Sequence, residues 1–327
     1  MKKFVNGVDA MLRESLSGLV EAHAGLLRVE FEPTFVARAV PAKGKVALVS
    51  GGGSGHEPLH AGYVGTGMLD AACPGQVFTS PTPDQMLAAA AATDTGRGTL
   101  FIVKNYAGDR MNFEIATEML ETEHATVLVD DDVAVENSTH TTGRRGVAGT
   151  LIVEKMVGAA AEAGASLADC KQLGDRVNAA TASMGVAFTS CTVPAAGRAT
   201  FDIGPDEIEL GVGIHGEPGR RRAAMMPADQ IVDTLLDAIL ADLKPEHGRR
   251  VLLHVNGFGG TPLVELYLLH HVAAKRLQGE GLSIARSLVG NYTTSLEMAG
   301  GSLTVTLLDD ELMSLWDAPV RTAALHW

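Results

Sequence analysis

Three short segments hold side chains whose types suit proton transfer or attack on a carbonyl. In GGGSGHEP, His56 follows four glycines in five positions and precedes Glu57. Its imidazole titrates near neutral pH, so it could donate or accept a proton, or it could be a satisfied structural histidine. In KNYAGD, Lys104 and Asp109 follow an apolar run. Asp109 could cap a turn, or it could accept a proton from a substrate hydroxyl while Lys104 offsets negative charge. In GVGIHGEPG, His215 has glycines nearby on both sides, which clears space for a ligand to reach the ring. Neutral imidazole is also a nucleophile toward a ketone or aldehyde, so a covalent role is open beside that of a core histidine. One carboxylate, one cation and an imidazole together fit the activation of an alcohol.

The glycines Gly51, Gly52, Gly53 and Gly55 first suggest a phosphate cradle. The spacing opposes it: the residue after the last glycine is His56, which satisfies neither G-x-x-x-x-G-K-[ST] nor G-x-G-x-x-G. The segment reads instead as a tight turn, or as backbone that brings N–H donors close to a small polar ligand. His56, His60 and His215 could be imagined as zinc ligands, but paired histidines without an H-E-x-x-H context are weak evidence, and no metal is expected. Cys73, Cys170 and Cys191 are odd in number and widely spaced, so they are expected as buried free thiols. Arg220–Arg222 reads as solvated surface or a docking contact, and the loop from Gly257 to Gly260 as ordinary turn chemistry.

The elements that must hold these residues alternate between strand and helix patterns. An apolar stripe over residues 5–27 predicts an opening helix, and 46–50 a strand that runs into the glycine loop. Thr82-Pro83-Asp84-Gln85 has the hydroxyl, proline and glutamine of a helix start. Strands are expected at 99–104 and 126–130, helices at 113–123 and 147–163, and a helix from Ser166 that fades near Ser183. Beyond it, β patterning covers 184–193 and 207–215. A helix at 228–243, a strand at 251–256, a helix opened by Thr261-Pro262, and strands at 282–289 and 303–308 follow. The expected fold is α/β: two α/β domains, 1–183 and 184–327, each a largely parallel or mixed sheet flanked by helices. Candidate residues then fall at strand ends, where open α/β sheets bind ligands.

Lys and Arg total 26 against 39 Asp and Glu, a net charge of −13 that disfavours nucleic acid and anionic lipid as partners. No stretch approaches the length of a membrane span, and Asp9, Arg13 and Glu14 interrupt any signal-peptide core. A cytoplasmic protein is expected.

GGGSGHEP, SPTPD, VKNYAGDRMNF, DDDVAVENS, GRRGVAGT and ELGVGIHGEPG, in this order, resemble the substrate-binding K subunit of dihydroxyacetone kinases. The resemblance extends from MKKF to WDAPVRTAALHW, and the tail favours the bacterial phosphotransferase-dependent form. It implies a two-domain α/β chain, usually a homodimer, that captures dihydroxyacetone as a hemiaminal between a histidine and the ketone carbon. The resemblance puts that histidine at His215, the acid/base histidine at His56 and the hydroxyl-activating aspartate at Asp109. Gly53, Ser54, Gly55 and Lys104 match its ligand contacts. It further implies no cofactor in this chain: ADP or ATP with Mg would sit on a separate L subunit, recharged by a multiphosphoryl M subunit. Two departures, a short connection at 242–250 and VNGFGGTP in place of a VNNLG-type sequence, leave the matched positions intact. They bear on partner surface and on substrate, which could be another short sugar such as a tetrulose. A triose sensor without catalysis would use the same pocket.

Overall fold

The computed structural model describes residues 2–135 and 143–327. The end of the DDDVAVENS segment, from Glu136, lies outside the described residues. The helices, in chain order, are α1 (Met11–Ala22), α2 (Pro83–Thr93), α3 (Ala107–Met119), α4 (Gly149–Glu162), α5 (Leu167–Ala179), α6 (Ala228–Leu243), α7 (Leu263–Gly279) and α8 (Asp310–Asp317). The strands are β1 (Leu27–Phe31), β2 (Thr34–Arg38), β3 (Ala47–Ser54), β4 (Gly65–Thr66), β5 (Ala71–Val77), β6 (Thr99–Lys104), β7 (His124–Val129), β8 (Thr181–Ala187), β9 (Glu207–Leu210), β10 (Arg221–Ala224), β11 (Arg250–Gly257), β12 (Ser283–Gly290), β13 (Gly300–Leu308) and β14 (Arg321–Thr322).

Two mixed sheets carry the fold, as expected for the α/β class. The first has the order β1-β2-β5-β3-β6-β7, with β5, β3, β6 and β7 parallel and the β1–β2 hairpin antiparallel. Its central strands β3 and β6 are buried along their whole length because helices cover both faces. The second has the order β10-β9-β8-β13-β11-β12, antiparallel except for β11 with β12. Helix α4 is buried from Gly149 to Ala161 and touches β6 and β7 of one sheet and β8 of the other. A helix with apolar residues on every side belongs in the interior even where it also carries Glu154 and Lys155, and one continuous core accordingly joins Leu48 and Ile102 to Leu252 and Leu308 through Ile152 and Met156. The chain end returns to the first layer: α8 packs on α4, and β14 pairs with β4.

The largest departure from the sequence reading lies at the glycines, where the strand continues to Ser54 instead of ending at Ser50. Gly51, Gly52 and Gly53 pair in register with Cys73, Pro74 and Gly75. Their value here is clearance: a Cβ on Gly51 would lie 2.6 Å from the Cys73 carbonyl oxygen, and one on Gly53 would lie 2.6 Å from the Thr79 amide nitrogen. The 207–215 strand stops at Leu210, because Gly211 turns the chain at φ 79°. The strand expected at 184–193 is β8, shifted to Thr181–Ala187, and the preceding helix ends at Ala179. The opening helix is confined to α1, and the residues after it enter the β1–β2 hairpin. Helix α3 starts at Ala107, so Asp109 sits in its first turn.

Candidate functional site

His56 lies just beyond the glycine strand and is fully buried. Its Nδ1 lies 2.7 Å from the Thr294 carbonyl oxygen. A carbonyl only accepts, so Nδ1 carries the ring proton and Nε2 presents a lone pair. That Nε2 has no hydrogen-bond partner among the described residues. Burial, then the charges of His215 and Lys104, push His56 well below the usual histidine range, so it is neutral at pH 7. The Thr294 segment belongs to the second sheet's loops. Asn256 holds it, accepting from the Tyr292 and Thr293 amides at 2.9 and 2.8 Å and donating to the Thr293 carbonyl at 2.7 Å. Asn256, at the end of the strand expected over 251–256 and just before the Gly257–Gly260 turn, thus anchors the loop that orients His56.

His215 follows β9 in a glycine-rich turn. Its Nδ1 is 2.9 Å from Glu217 Oε1, while the His215 amide donates to Glu217 Oε2 at 3.0 Å. A carboxylate accepts, so Nδ1 is again protonated, and in the neutral ring the lone pair falls on Nε2. Burial pushes the Glu217 carboxyl up, but His215 and then Arg145 outweigh it and hold Glu217 at about 2. The ring of His215 is edge-on to three others: His56 at 4.6 Å, Tyr106 at 4.6 Å and Phe78 at 5.2 Å between centroids. Phe78 also stacks on His56 at 4.9 Å and 11°. It does so from a left-handed backbone, φ 56°, a strained conformation for a bulky residue.

Lys104 ends β6 and is fully buried. Its Nζ lies 3.4 Å from Asp109 Oδ2 and 3.1 Å from His60 Nε2. Ser80 donates a short hydrogen bond to Asp109 Oδ1. Tyr106, beside His215, is the N-cap residue of the helix whose first turn carries Asp109. His56 and His215 are therefore in contact, and Lys104 and Asp109 reach the same neighbourhood through Tyr106 and His60. Gly53 and Gly55 supply backbone here; Gly55 N–H donates to both Glu57 oxygens at 3.0 and 3.1 Å. Ser54 donates its hydroxyl to the Gly75 carbonyl at 2.7 Å. Beside the same strand, a cavity of about 410 Å³ is lined by Gly52, Gly53, Ser54 and His60 together with Leu12 and Leu16 of α1.

His60 cannot join His56 and His215 around a metal, because Glu154 and Lys104 engage both of its ring nitrogens. The three cysteines are buried and unpaired, as expected. Within the arginine run, Arg220 donates to the Ala134 and Val133 carbonyls and Arg222 pairs with Glu209, so these two serve the chain's own structure. Phe78, Ser80, Tyr106 and Glu217 escaped the sequence reading, although Ser80, Tyr106 and Glu217 stand inside the motifs SPTPD, KNYAGD and HGEP. Reading each motif whole would have found those three; nothing local marks Phe78.

Similarity to known proteins agrees with this arrangement. Residues 17–324 match the family model described as Dak1 domain. The chain is 48% identical to the "PEP-dependent dihydroxyacetone kinase, dihydroxyacetone-binding subunit DhaK" of Escherichia coli (strain K12), over 100% of this chain and 99% of that one. It is 50% identical to the "PTS-dependent dihydroxyacetone kinase 1, dihydroxyacetone-binding subunit DhaK" of Listeria innocua, over 99% of this chain and 100% of that one. Among solved structures, the dihydroxyacetone kinase of C. freundii superposes with a TM-score of 0.88 at 36% identity, covering 98% of this chain and 60% of that chain. A dihydroxyacetone kinase operon co-activator superposes at 0.89 with 32% identity, over 95% of this chain and 96% of that one. The chain therefore belongs to the Dak1 family of dihydroxyacetone kinases and their subunits.

Proposed function

We propose that this chain is the dihydroxyacetone-binding subunit of a phosphotransferase-dependent dihydroxyacetone kinase, as its two full-length relatives are named. The observation that carries the reading is the pair of imidazoles in contact, each with Nδ1 tied to an acceptor and Nε2 left with its lone pair. In the reaction, His215 Nε2 adds to the ketone carbon, the C=O π pair moves to oxygen, and that oxygen takes up a proton. The Glu217 carboxylate offsets the positive charge that develops on the ring. A terminal hydroxyl of the captured sugar gives its proton to Asp109 with help from His56, and its oxygen attacks the γ-phosphoryl group of the partner's ATP, whose bond to the β-phosphate breaks so that ADP stays on the partner. Lys104 offsets charge beside Asp109, and Gly53, Ser54 and Gly55 supply contacts to the sugar.

The phosphoryl donor belongs to a partner. The C. freundii kinase, of which this chain spans 60%, has a structure in complex with AMP-PNP and Mg2+. In the present reading ADP or ATP and Mg are held by a separate L subunit, recharged by an M subunit, while this chain works as a homodimer of two-lobed protomers divided near residue 183. The buried free thiols suit a reducing cytoplasm.

The test is product formation. With an L-type partner, its recharging M subunit and phosphoenolpyruvate, the chain is expected to yield dihydroxyacetone phosphate, and His215→Ala is expected to yield none. Likeness to the operon co-activator favours a second reading, a sensor that captures the ketone without passing phosphate. Capture without product under these conditions would select it, and a tetrulose turned over in preference to dihydroxyacetone would change the substrate alone.

A further inference from the structure

Behind the site, a file of polar groups crosses the otherwise apolar interior and uses residues to which the proposed reaction gives no part. Glu154 sits in the buried stretch of α4 with no exposed surface, surrounded by Leu151, Ile152, Val153 and Met156 of its own helix. Its Oε1 lies 2.6 Å from His60 Nδ1, and its Oε2 has no hydrogen-bond partner among the described residues. Ser50 Oγ is 3.0 Å from the same Nδ1 and donates to the Ile102 carbonyl at 2.7 Å. On the other side of the ring, Nε2 faces the Lys104 ammonium at 3.1 Å, and that ammonium faces Asp109 at 3.4 Å. Gly52 closes the remaining approach, since a Cβ there would stand 2.2 Å from Lys104 Nζ.

The chemistry of this file permits one direction of hydrogen bonding. An ammonium only donates, so His60 Nε2 must accept and the ring proton must be on Nδ1, aimed at Glu154. Burial, then the charges of Lys104 and His56, hold His60 well below the usual histidine range, which keeps the ring neutral and its acceptor available. Burial pushes the Glu154 carboxyl up to about 8 against the pull of the Ser50 hydrogen bond and the Lys104 charge. In either protonation state Glu154 offers an oxygen to the Nδ1 proton. The other titratable groups facing the file are His56 beside His60, Tyr63 beside Glu154 and Tyr106 beside Asp109. Burying a carboxyl and an imidazole this deeply costs stability, and ionisable groups so held beside a site are candidates for a role in it.

We propose that Glu154 and His60 are positioning residues for phosphoryl transfer, fixing the Lys104 ammonium against Asp109 so that Asp109 is correctly aimed when it takes the substrate proton. The inference rests on the kinase reading. Without an acceptor at His60 Nε2, the buried ammonium keeps, among the described residues, only its long contact to Asp109 and turns away from it. The carboxylate then loses the neighbouring cation that fixes its aim.

The test compares His60→Leu, which removes the acceptor, with His60→Gln, whose amide oxygen can reach toward Lys104. In the reconstituted kinase, His60→Leu is expected to lower kcat about 10²-fold, the scale of a misplaced working group. The loss is expected in kcat, with KM for dihydroxyacetone unchanged. Capture of dihydroxyacetone by the isolated chain should be retained, and His60→Gln should restore most of kcat. Unchanged kcat in a folded His60→Leu protein, or a loss carried by KM alone, would overturn the proposal. Should that variant fail to fold, 15N NMR of the wild-type chain decides: a non-protonated Nε2 and protonated Nδ1 on His60 from pH 6 to 9 support the positioning role, and a protonated Nε2 contradicts it. A wild-type kinase that makes no product would fail the kinase reading itself, an outcome distinct from both.

Discussion

At the level of single residues, the site depends on which nitrogen of each histidine carries its proton. Glu217 settles this for His215, and it does so as a carboxylate held near pKa 2, ionised at any working pH. Glu217→Gln removes the charge while preserving shape. It is expected to weaken dihydroxyacetone capture by about 1.5–3 kcal/mol, the usual worth of a hydrogen bond to a charged group, and to leave any weak glycerol binding unchanged. Calorimetry with both ligands checks this. The flanking glycines single out His215 in the sequence, while its covalent role comes from the resemblance alone. Glu217 was overlooked because its role depends on the tight turn at Gly216, φ 78°, that folds the carboxylate back onto the ring two residues earlier.

At the level of elements, β3 shows why a glycine run need not be a loop. The sequence offers glycine's permissiveness, while the structure uses its smallness: Thr79 and Phe78 pass so close to Gly53 that a methyl group would fall 2.6–2.9 Å from their backbone. Gly53→Ala is therefore expected to push the Phe78 turn away and loosen the ring stacked on His56. The predicted destabilisation is about 1–3 kcal/mol, read by urea unfolding, with activity falling further than stability explains. The helices were legible where their signals are local. The capping box on Thr82 and Gln85 forms as read, and α6 covers 228–243 as expected. The strands β1, β2, β5 and β14 were not, because they are short or lack alternation and are defined by their partners rather than by their own sequence.

At the level of the whole molecule, the site exists only where the two sheets meet. His56 leaves the first sheet and is oriented by Thr294, which lies between strands of the second, and His215 arrives from the turn after β9. Alternation of strands and helices revealed two α/β layers, but no local pattern could reveal that α4 would be shared between them or that the chain end would return to β4. Such burial makes the fold sensitive to acid. Burial lowers His254 from the ordinary 6.5 to about 4, so the unfolded chain binds more protons than the folded one between these values. Stability is thus expected to fall as pH drops from 6.5 toward 4, with His254 contributing a loss of about 2 kcal/mol between pH 7 and pH 5. Urea unfolding of His254→Leu should show a shallower decline over that interval. Calorimetry of the isolated chain with ATP is expected to detect no micromolar binding, since its glycine segment is spent on strand packing against Cys73 and Thr79.

The central claim is covalent capture at the junction of the sheets, and a crystal structure of the chain soaked with dihydroxyacetone tests it most directly. The account predicts continuous density from His215 Nε2 to a tetrahedral carbon, with one sugar hydroxyl within hydrogen-bond reach of Asp109. A planar, unbonded ketone in the site, or a bound sugar remote from His215, would contradict it.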